Sequence, residues 1–237
     1  MILLLSGITR PFLSQENHLE LGYSTGTTFF KGFFGGLTWM RILKIEDEAL
    51  TPYCALKQPQ IIATNHPALW DAPLLLRRFP RISGIMKVEI LNNLILKGGS
   101  QFIGFLPNYP SITMVRSAQK RLDQDGQLLL FPEGTRTREH HHPLNPFQPG
   151  LGFLAKKTKV PVLPVFIFMN CHYLQKGWPL WKIPPMPIVV SIQTGDLQQP
   201  DADERSQDFS NRLEDYFKTE LQRRNPWKKT CGKGVIK

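Results

Sequence analysis

A five-residue apolar run, Gln60-Ile61-Ile62-Ala63-Thr64, breaks off at Asn65-His66-Pro67, and a second, Leu128-Leu129-Leu130-Phe131, breaks off at Pro132 in the same way. Runs this short and continuously apolar fit strands covered on both faces, because a half-exposed strand alternates. Helical spacing separates them from further strand-like runs. Val115, Ala118 and Leu122 repeat before Gly126 and Leu128; a short helix runs from Pro149-Gly150 through Ala155, ahead of a Val160–Phe168 strand. Arg81 to Met86 reads as another strand, Lys87 to Leu96 as a helix broken at Gly98-Gly99-Ser100, and Ile188 to Ile192 as a last strand. Phe209, Leu213, Tyr216, Phe217 and Leu221 then line one side of a C-terminal helix, with acids at 201, 203 and 204 before it and Arg223 and Arg224 at its end, as the helix dipole favours. This alternation predicts an α/β fold with a central mixed, largely parallel sheet wrapped by helices.

The polar residues at the strand ends carry chemistry. In Asn65-His66-Pro67-Ala68-Leu69-Trp70-Asp71, Pro67 suits the first helical position, and His66 before it is kept out of the helical region. Five residues of straight helix would turn His66 and Asp71 about 140° apart. With His66 outside the helix, the chain can fold it back over the first turn. A carboxylate on one imidazole nitrogen fixes the tautomer and leaves the other free to take a proton. A packed histidine beside a solvated aspartate is the plainer reading of the same residues. In Phe131-Pro132-Glu133-Gly134-Thr135-Arg136, Gly134 permits a backbone shape other residues resist, and Arg136 projects a forked donor suited to phosphate or carboxylate. It does so from a strand's carboxyl end, where open α/β sheets place their ligands.

Together these stretches resemble the glycerolipid acyltransferases typified by lysophosphatidic acid acyltransferase. Asn65, His66 and Asp71 match the family's Asn-His-(four residues)-Asp motif, and residues 131 to 136 match its Phe-Pro-Glu-Gly-Thr-Arg motif without a change. Val160-Pro161-Val162-Leu163-Pro164-Val165 is similar to a third, weaker block. The family usually carries a Gly-rich stretch ending in an arginine between the first two motifs. The corresponding stretch here, Gly104-Phe105-Leu106-Pro107-Asn108-Tyr109-Pro110, has none, and Arg116 follows six residues later.

The resemblance implies acyl transfer from a thioester donor, acyl-CoA or acyl-carrier protein, to a lipid hydroxyl, with lysophosphatidic acid the leading acceptor. It implies His66 as general base, Asp71 as its orienting partner, and Asn65, Glu133, Gly134, Thr135 and Arg136 as substrate-binding residues, with no metal or organic cofactor. The missing arginine keeps a phosphate-free acceptor (a lysolipid, glycolipid or lipid alcohol) as the alternative, and a non-catalytic basic membrane-binding protein is the rival outside enzymes. The chain then divides into a membrane-associating segment at 1–50, an acyltransferase domain at 51–225 and a basic tail at 226–237.

A net charge of +10 on 237 residues points to an anionic membrane surface or to phosphorylated or carrier-bound substrates. Nucleic acid ranks last, since no zinc-finger spacing or RNP-type aromatic motif occurs. From Lys218 to Lys237 there are seven Lys/Arg and one acid, read as a disordered tail that aids docking, or simply a solvated one. Thr27 to Met40 crowds four phenylalanines and a tryptophan around Lys31. Phe29, Phe30, Phe33, Leu37 and Met40 approximate one stripe. A segment lying in the membrane interface and a helix packed on the domain both fit it, ahead of a spanning helix. Trp178, Trp181 and the prolines at 179, 184, 185 and 187 make a loop that can rim a lipid entrance or cover a sheet edge. Cys54, Cys171 and Cys231 are far apart and odd in number, so the expected location is peripheral on a membrane, facing a reducing compartment. Adjacent Cys171 and His172 would point to opposite faces of a strand, and His140-His141-His142 reads as loop ahead of metal site.

Overall fold

The runs that the sequence marks as doubly covered strands lie at the centre of one sheet in the computed structural model, which describes residues 9, 12–55, 58–86, 88, 99–100, 102–108, 112–124, 126–138, 143–179 and 181–227. In chain order the elements are α1 (Gln15–Trp39), β1 (Leu43–Glu46), a 3-10 turn at Glu48–Leu50, α2 (Thr51–Ala55), β2 (Gln60–Thr64), α3 (Asp71–Leu76), β3 (Ile82–Met86), β4 (Leu106–Pro107), α4 (Ile112–Asp123), β5 (Gln127–Leu130), α5 (Gly150–Thr158), β6 (Val162–Met169), β7 (Ile188–Thr194) and α6 (Ser206–Arg224). The expected Lys87–Leu96 helix (Val88 apart), His140–His142 and Lys228–Lys237 fall outside the described residues.

Among the described residues the sheet order is β1-β7-β6-β2-β5-β3-β4. Every adjacent pair is parallel except β6 with β7, so the mixed, largely parallel sheet is as the alternation predicts. All five residues of β2 are buried. Side chains alternate across the sheet, so neighbouring residues of one strand feed two cores. Ile61, Ala63 and Leu128 pack with Ala118, Leu122, Leu151, Leu154, Phe209, Leu213 and Phe217 on the face covered by α4, α5 and α6. Ile62 and Leu129 pack with Phe34, Leu74, Leu75, Phe79 and Phe102 on the face covered by α1 and α3.

Two expectations are corrected here. The stripe expected of Phe29, Phe30, Phe33, Leu37 and Met40 is split: Phe30, Phe34 and Leu37 face the domain, while Phe29, Phe33 and Met40 are exposed. The helix also begins twelve residues earlier than the aromatic stretch, at Gln15 with Ser14 as its cap. Its N-terminal half docks through Gly22, Tyr23 and Gly26, and the Tyr23 hydroxyl lies 2.5 Å from Ser83 Oγ on β3. Second, the basic run from Lys218, read both as the end of the C-terminal helix and as the start of a loose tail, is helical through Arg224. Lys218 pairs with Glu214 at 2.6 Å. Arg223 and Arg224 share Glu220 and pull its carboxyl down to about 2, so all three cations have a carboxylate partner within the helix.

The tightest contact on α1 is at Gly22, where an added Cβ would lie 1.7 Å from the Phe102 carbonyl oxygen. We expect Gly22→Ala to lower stability by about 1–3 kcal/mol, the usual range for overpacking. Gly32 has nothing within 4 Å, so Gly32→Ala should stabilise the same helix by about 0.5–1 kcal/mol. Urea midpoints of the two variants against the wild type check both signs.

Candidate active site

β2 and β5 run parallel, with Ala63 beside Leu130, so the motifs that follow them leave the sheet at the same end. His66 does not begin a helix. The chain loops through Pro67–Trp70, and α3 starts only at Asp71, which corrects the expected helical start at Pro67. The loop is closed by Asp71 itself. Its Oδ2 lies 2.8 Å from His66 Nδ1 and accepts the Ala68 N–H at 2.8 Å. The fold-back expected of His66 is therefore made, by a carboxylate acting as the loop's own cross-link. His66 keeps 18 % of its side chain exposed and Asp71 none.

With Nδ1 turned to the carboxylate, Nε2 is the ring atom left to take a proton. The ring stacks on Phe131 at 4.1 Å and 28°, which limits its rotation. Burial pushes the Asp71 carboxyl above its ordinary range, with the His66 and Ala68 hydrogen bonds acting the other way. Its Oδ1 is buried without a hydrogen-bond partner among the described residues.

Glu133 faces inward. It is buried and accepts the His66 backbone N–H at 2.8 Å, the Thr137 hydroxyl at 2.9 Å and the Asn145 N–H at 2.8 Å. Burial raises its carboxyl as well, against the pull of those donors. The Thr137 N–H donates to the His66 carbonyl at 2.8 Å, so the backbone of His66 is gripped on both sides. Asn65 is equally occupied: its Nδ2 donates to the Ile167 carbonyl at 2.9 Å and its Oδ1 accepts the Ile167 N–H at 2.8 Å. Both residues, expected from the resemblance to touch substrate, direct these hydrogen bonds into the protein and position His66.

Gly134 has φ +64° in the turn closed by its N–H to the Phe131 carbonyl, the conformation anticipated for it. Thr135 is half-buried in the same turn. Arg136 is half-buried, and its Nη1 donates to the carbonyls of Leu174 and Gln175 at 3.0 and 3.3 Å. Asn145, accepting the Arg138 N–H and donating to the Arg136 carbonyl, braces this turn from below. Neither Thr137 nor Asn145 was anticipated. The one available signal was a threonine directly after the Phe-Pro-Glu-Gly-Thr-Arg block.

Burial raises the Cys171 thiol, which makes it a poor nucleophile at neutral pH, and His172 Nδ1 pairs with Gln175 Oε1 at 2.9 Å. Among the described residues no three His, Cys, Asp or Glu side chains are grouped to hold a metal ion. No helix among them is long and apolar enough to cross a membrane.

A family model described as acyltransferase matches residues 42–168, more than half of the chain. Over 118 residues the sequence is 26% identical to 1-acyl-sn-glycerol-3-phosphate acyltransferase of Saccharomyces cerevisiae; the match takes in 47% of this chain and 39% of the yeast protein. The chain thus spans about two-fifths of that relative's length. In fold it is similar to the crystal structure of the 1-acyl-sn-glycerophosphate (LPA) acyltransferase PlsC from Thermotoga maritima. That likeness has a TM-score of 0.65 at 20% identity, over 94% of this chain and 95% of that one. With both motifs standing at one end of a shared sheet and the family model covering the strands that carry them, the chain belongs to the acyltransferase family.

Proposed function

We propose that this protein transfers a fatty acyl group from a thioester donor to a lipid hydroxyl, with lysophosphatidic acid the favoured acceptor. The observation carrying the reading is the His66–Asp71 pair, 2.8 Å long, whose carboxylate is sealed from solvent while the imidazole remains in reach of it. The relatives named above, both 1-acylglycerophosphate acyltransferases by description, favour the acceptor.

In the reaction His66 Nε2 takes the proton of the acceptor hydroxyl as its oxygen attacks the thioester carbonyl carbon. A C–O bond forms, the C–S bond breaks, and the imidazolium returns its proton to the departing thiolate. Asp71 holds the imidazole in the tautomer that leaves Nε2 free and stabilises the transient imidazolium, as the carboxylate does in hydrolytic triads. No enzyme nucleophile is used. Arg136, fixed at one nitrogen by the Leu174 and Gln175 carbonyls, presents the rest of its fork to the acceptor's phosphate. The donor is acyl-CoA or acyl-carrier protein, both anionic and both suited to a chain of net charge +10. The protein works at a membrane surface, with the exposed side of α1 meeting the lipid and the basic sequence at the C-terminus adding attraction to anionic headgroups.

Replacing His66 with alanine should cut turnover about 10²–10⁴-fold while circular dichroism and melting stay unchanged; near-wild-type turnover would end the assignment of a general base. Asp71→Asn should lose roughly two or more powers of ten in kcat through the wrong tautomer, yet gain stability. Because the folded state raises the Asp71 pKa, this group's contribution to stability is full below the ordinary carboxyl range and is lost as pH rises through the raised value. The variant should therefore melt at or above the wild-type temperature at pH 8, with the gap closing in acid; a gap of the opposite sign contradicts the burial argument.

Arg136→Ala should depress kcat/KM for lysophosphatidic acid by about one to two powers of ten, since a charge-assisted hydrogen bond is worth roughly 1.5–3 kcal/mol. A phosphate-free acceptor should be affected much less. Equal loss on both acceptors would assign Arg136 to holding the Leu174–Gln175 loop, and a wild-type preference for the phosphate-free acceptor would replace lysophosphatidic acid with that class.

A further inference from the structure

The sheet's single antiparallel junction decides which chain segments share the catalytic end. β6 runs with β2, so Met169 and His66 leave the sheet on one side. β7 runs against β6, with Val190 beside Met169. β1 runs with β7, with Leu43 beside Ile188 and the Ile188 N–H bonded to the Ile42 carbonyl. The chain therefore delivers three things to one end: the His66 loop, the C-terminal end of α1 at Trp39–Met40, and the far end of the loop at residues 170–187.

Both flanking segments expose large apolar side chains there. Trp39 is 86% exposed and Met40 lies beside it; Trp181 is 87% exposed, with Ile183 and Met186 also open to solvent, and Leu69, in the loop between His66 and Asp71, is exposed as well. A chain of aromatic contacts links the two segments under that surface. Phe33 of α1 meets Trp70 edge-on at 6.3 Å, Trp70 meets Tyr173 at 5.2 Å, and Tyr173 meets Trp178 at 5.9 Å. Trp70 is the residue before Asp71, and the Leu69 N–H donates to the Leu174 carbonyl at 3.2 Å.

The charge is one-sided. No Asp or Glu occurs from residue 21 to 43 or from 170 to 187, whereas Lys31, Arg41, Lys176 and Lys182 do; Lys44, just beyond, is paired with Glu46 at 2.7 Å and is not counted among them. Lys182 sits 5.0 Å from the Trp178 ring centre. Exposed tryptophan and aliphatic tips beside lysines, with no carboxylate among them, match the chemistry of an anionic bilayer's interface, where aromatic rings settle at headgroup depth and lysines meet the lipid phosphates.

The geometry points to Trp181–Met186 as a second membrane arm, which with the Trp39 end of α1 seats the catalytic end of the sheet on an anionic bilayer. The assignment rests on the lipid-acylating reading above and adds which surface meets the lipid. Between two arms tied to the residues flanking His66 and Asp71, the acceptor reaches the base without leaving the headgroup layer.

The test is co-sedimentation of the full chain with vesicles of phosphatidylcholine, with and without phosphatidylglycerol. Trp181→Ser combined with Ile183→Ser should weaken partitioning onto the anionic vesicles by about tenfold or more, given the apolar surface withdrawn from lipid. Turnover on a dispersed short-chain acceptor should be unchanged, and Trp181→Phe should restore binding. A second measurement needs no destabilising change: in Trp39→Phe, tryptophan emission should still be quenched by brominated lipids, and adding Trp181→Phe should remove most of the quenching. Unchanged partitioning with unchanged quenching overturns the proposal. So does loss of a dimer by the double variant in sedimentation equilibrium, without loss of vesicle binding, because the patch would then be an interface between copies. Vesicle binding that depends on Trp181 in a protein with no transferase activity would leave the arm standing and remove the reaction.

Discussion

Three loops meet at the Glu133 carboxylate. The His66 N–H, the Thr137 hydroxyl and the Asn145 N–H all donate to it, so the turn after β2, the turn after β5 and the approach to α5 share one acceptor. Only a carboxylate can do this, because every partner is a donor and an amide in its place would turn an N–H toward another N–H. The cost is a buried charge, and the raised carboxyl of Glu133 records it. Partially compensated charges of this kind rarely add stability, but removing one leaves its buried partners unsatisfied. Glu133 is therefore best understood as the constraint that sets where the His66 backbone stands.

Asp71 repeats the same logic one layer out. Its Oδ2 gathers the His66 ring and the Ala68 N–H, and its desolvation holds the pair in a region of low dielectric where a developing imidazolium is felt strongly. Backbone from Glu133 and ring from Asp71 leave His66 little freedom, and Phe131 removes more. With Nδ1 committed to Asp71, a base at this position, as proposed, would serve one approach direction only, that of Nε2.

The sequence was most legible where burial is most extreme. β2, β5 and β6 read as strands because both faces are covered and their runs stay apolar; β1, with Leu43 as its one deeply buried residue, offered no such run and went unread. α1 was legible only in its aromatic half. Gly22 and Gly26 carry the composition of a loop, and what makes them helical is close approach to Phe102 and Ile103, a tertiary fact no local pattern records. His66 and Asp71 could be paired only by placing His66 outside the helix, and the loop between them could not be drawn, since it depends on a carboxylate capturing the Ala68 N–H. Thr137 and Asn145 escaped for a related reason: they act through backbone groups, which leave no side-chain signature. The i,i+4 pairs Glu214–Lys218 and Glu220–Arg224 were readable as helix and were passed over for the charge excess around them.

What remains is how a rigid site admits a long lipid. The packing of Trp70 answers part of this. It stands between Phe33 and Phe34 of α1 on one side and Tyr173 on the other, one residue from Asp71. Rigid-body freedom of α1 is already low, because Gly22 is pressed on the Phe102 carbonyl and Tyr23 is bonded to Ser83. On the other side, the segment from Tyr173 is held by the Trp70 contact, the Leu69 N–H and Arg136. Arg136 spends one nitrogen, Nη1, on the Leu174 and Gln175 carbonyls, so on the proposed reading a phosphate held by the rest of its fork would leave those ties in place and brace the segment beside the site.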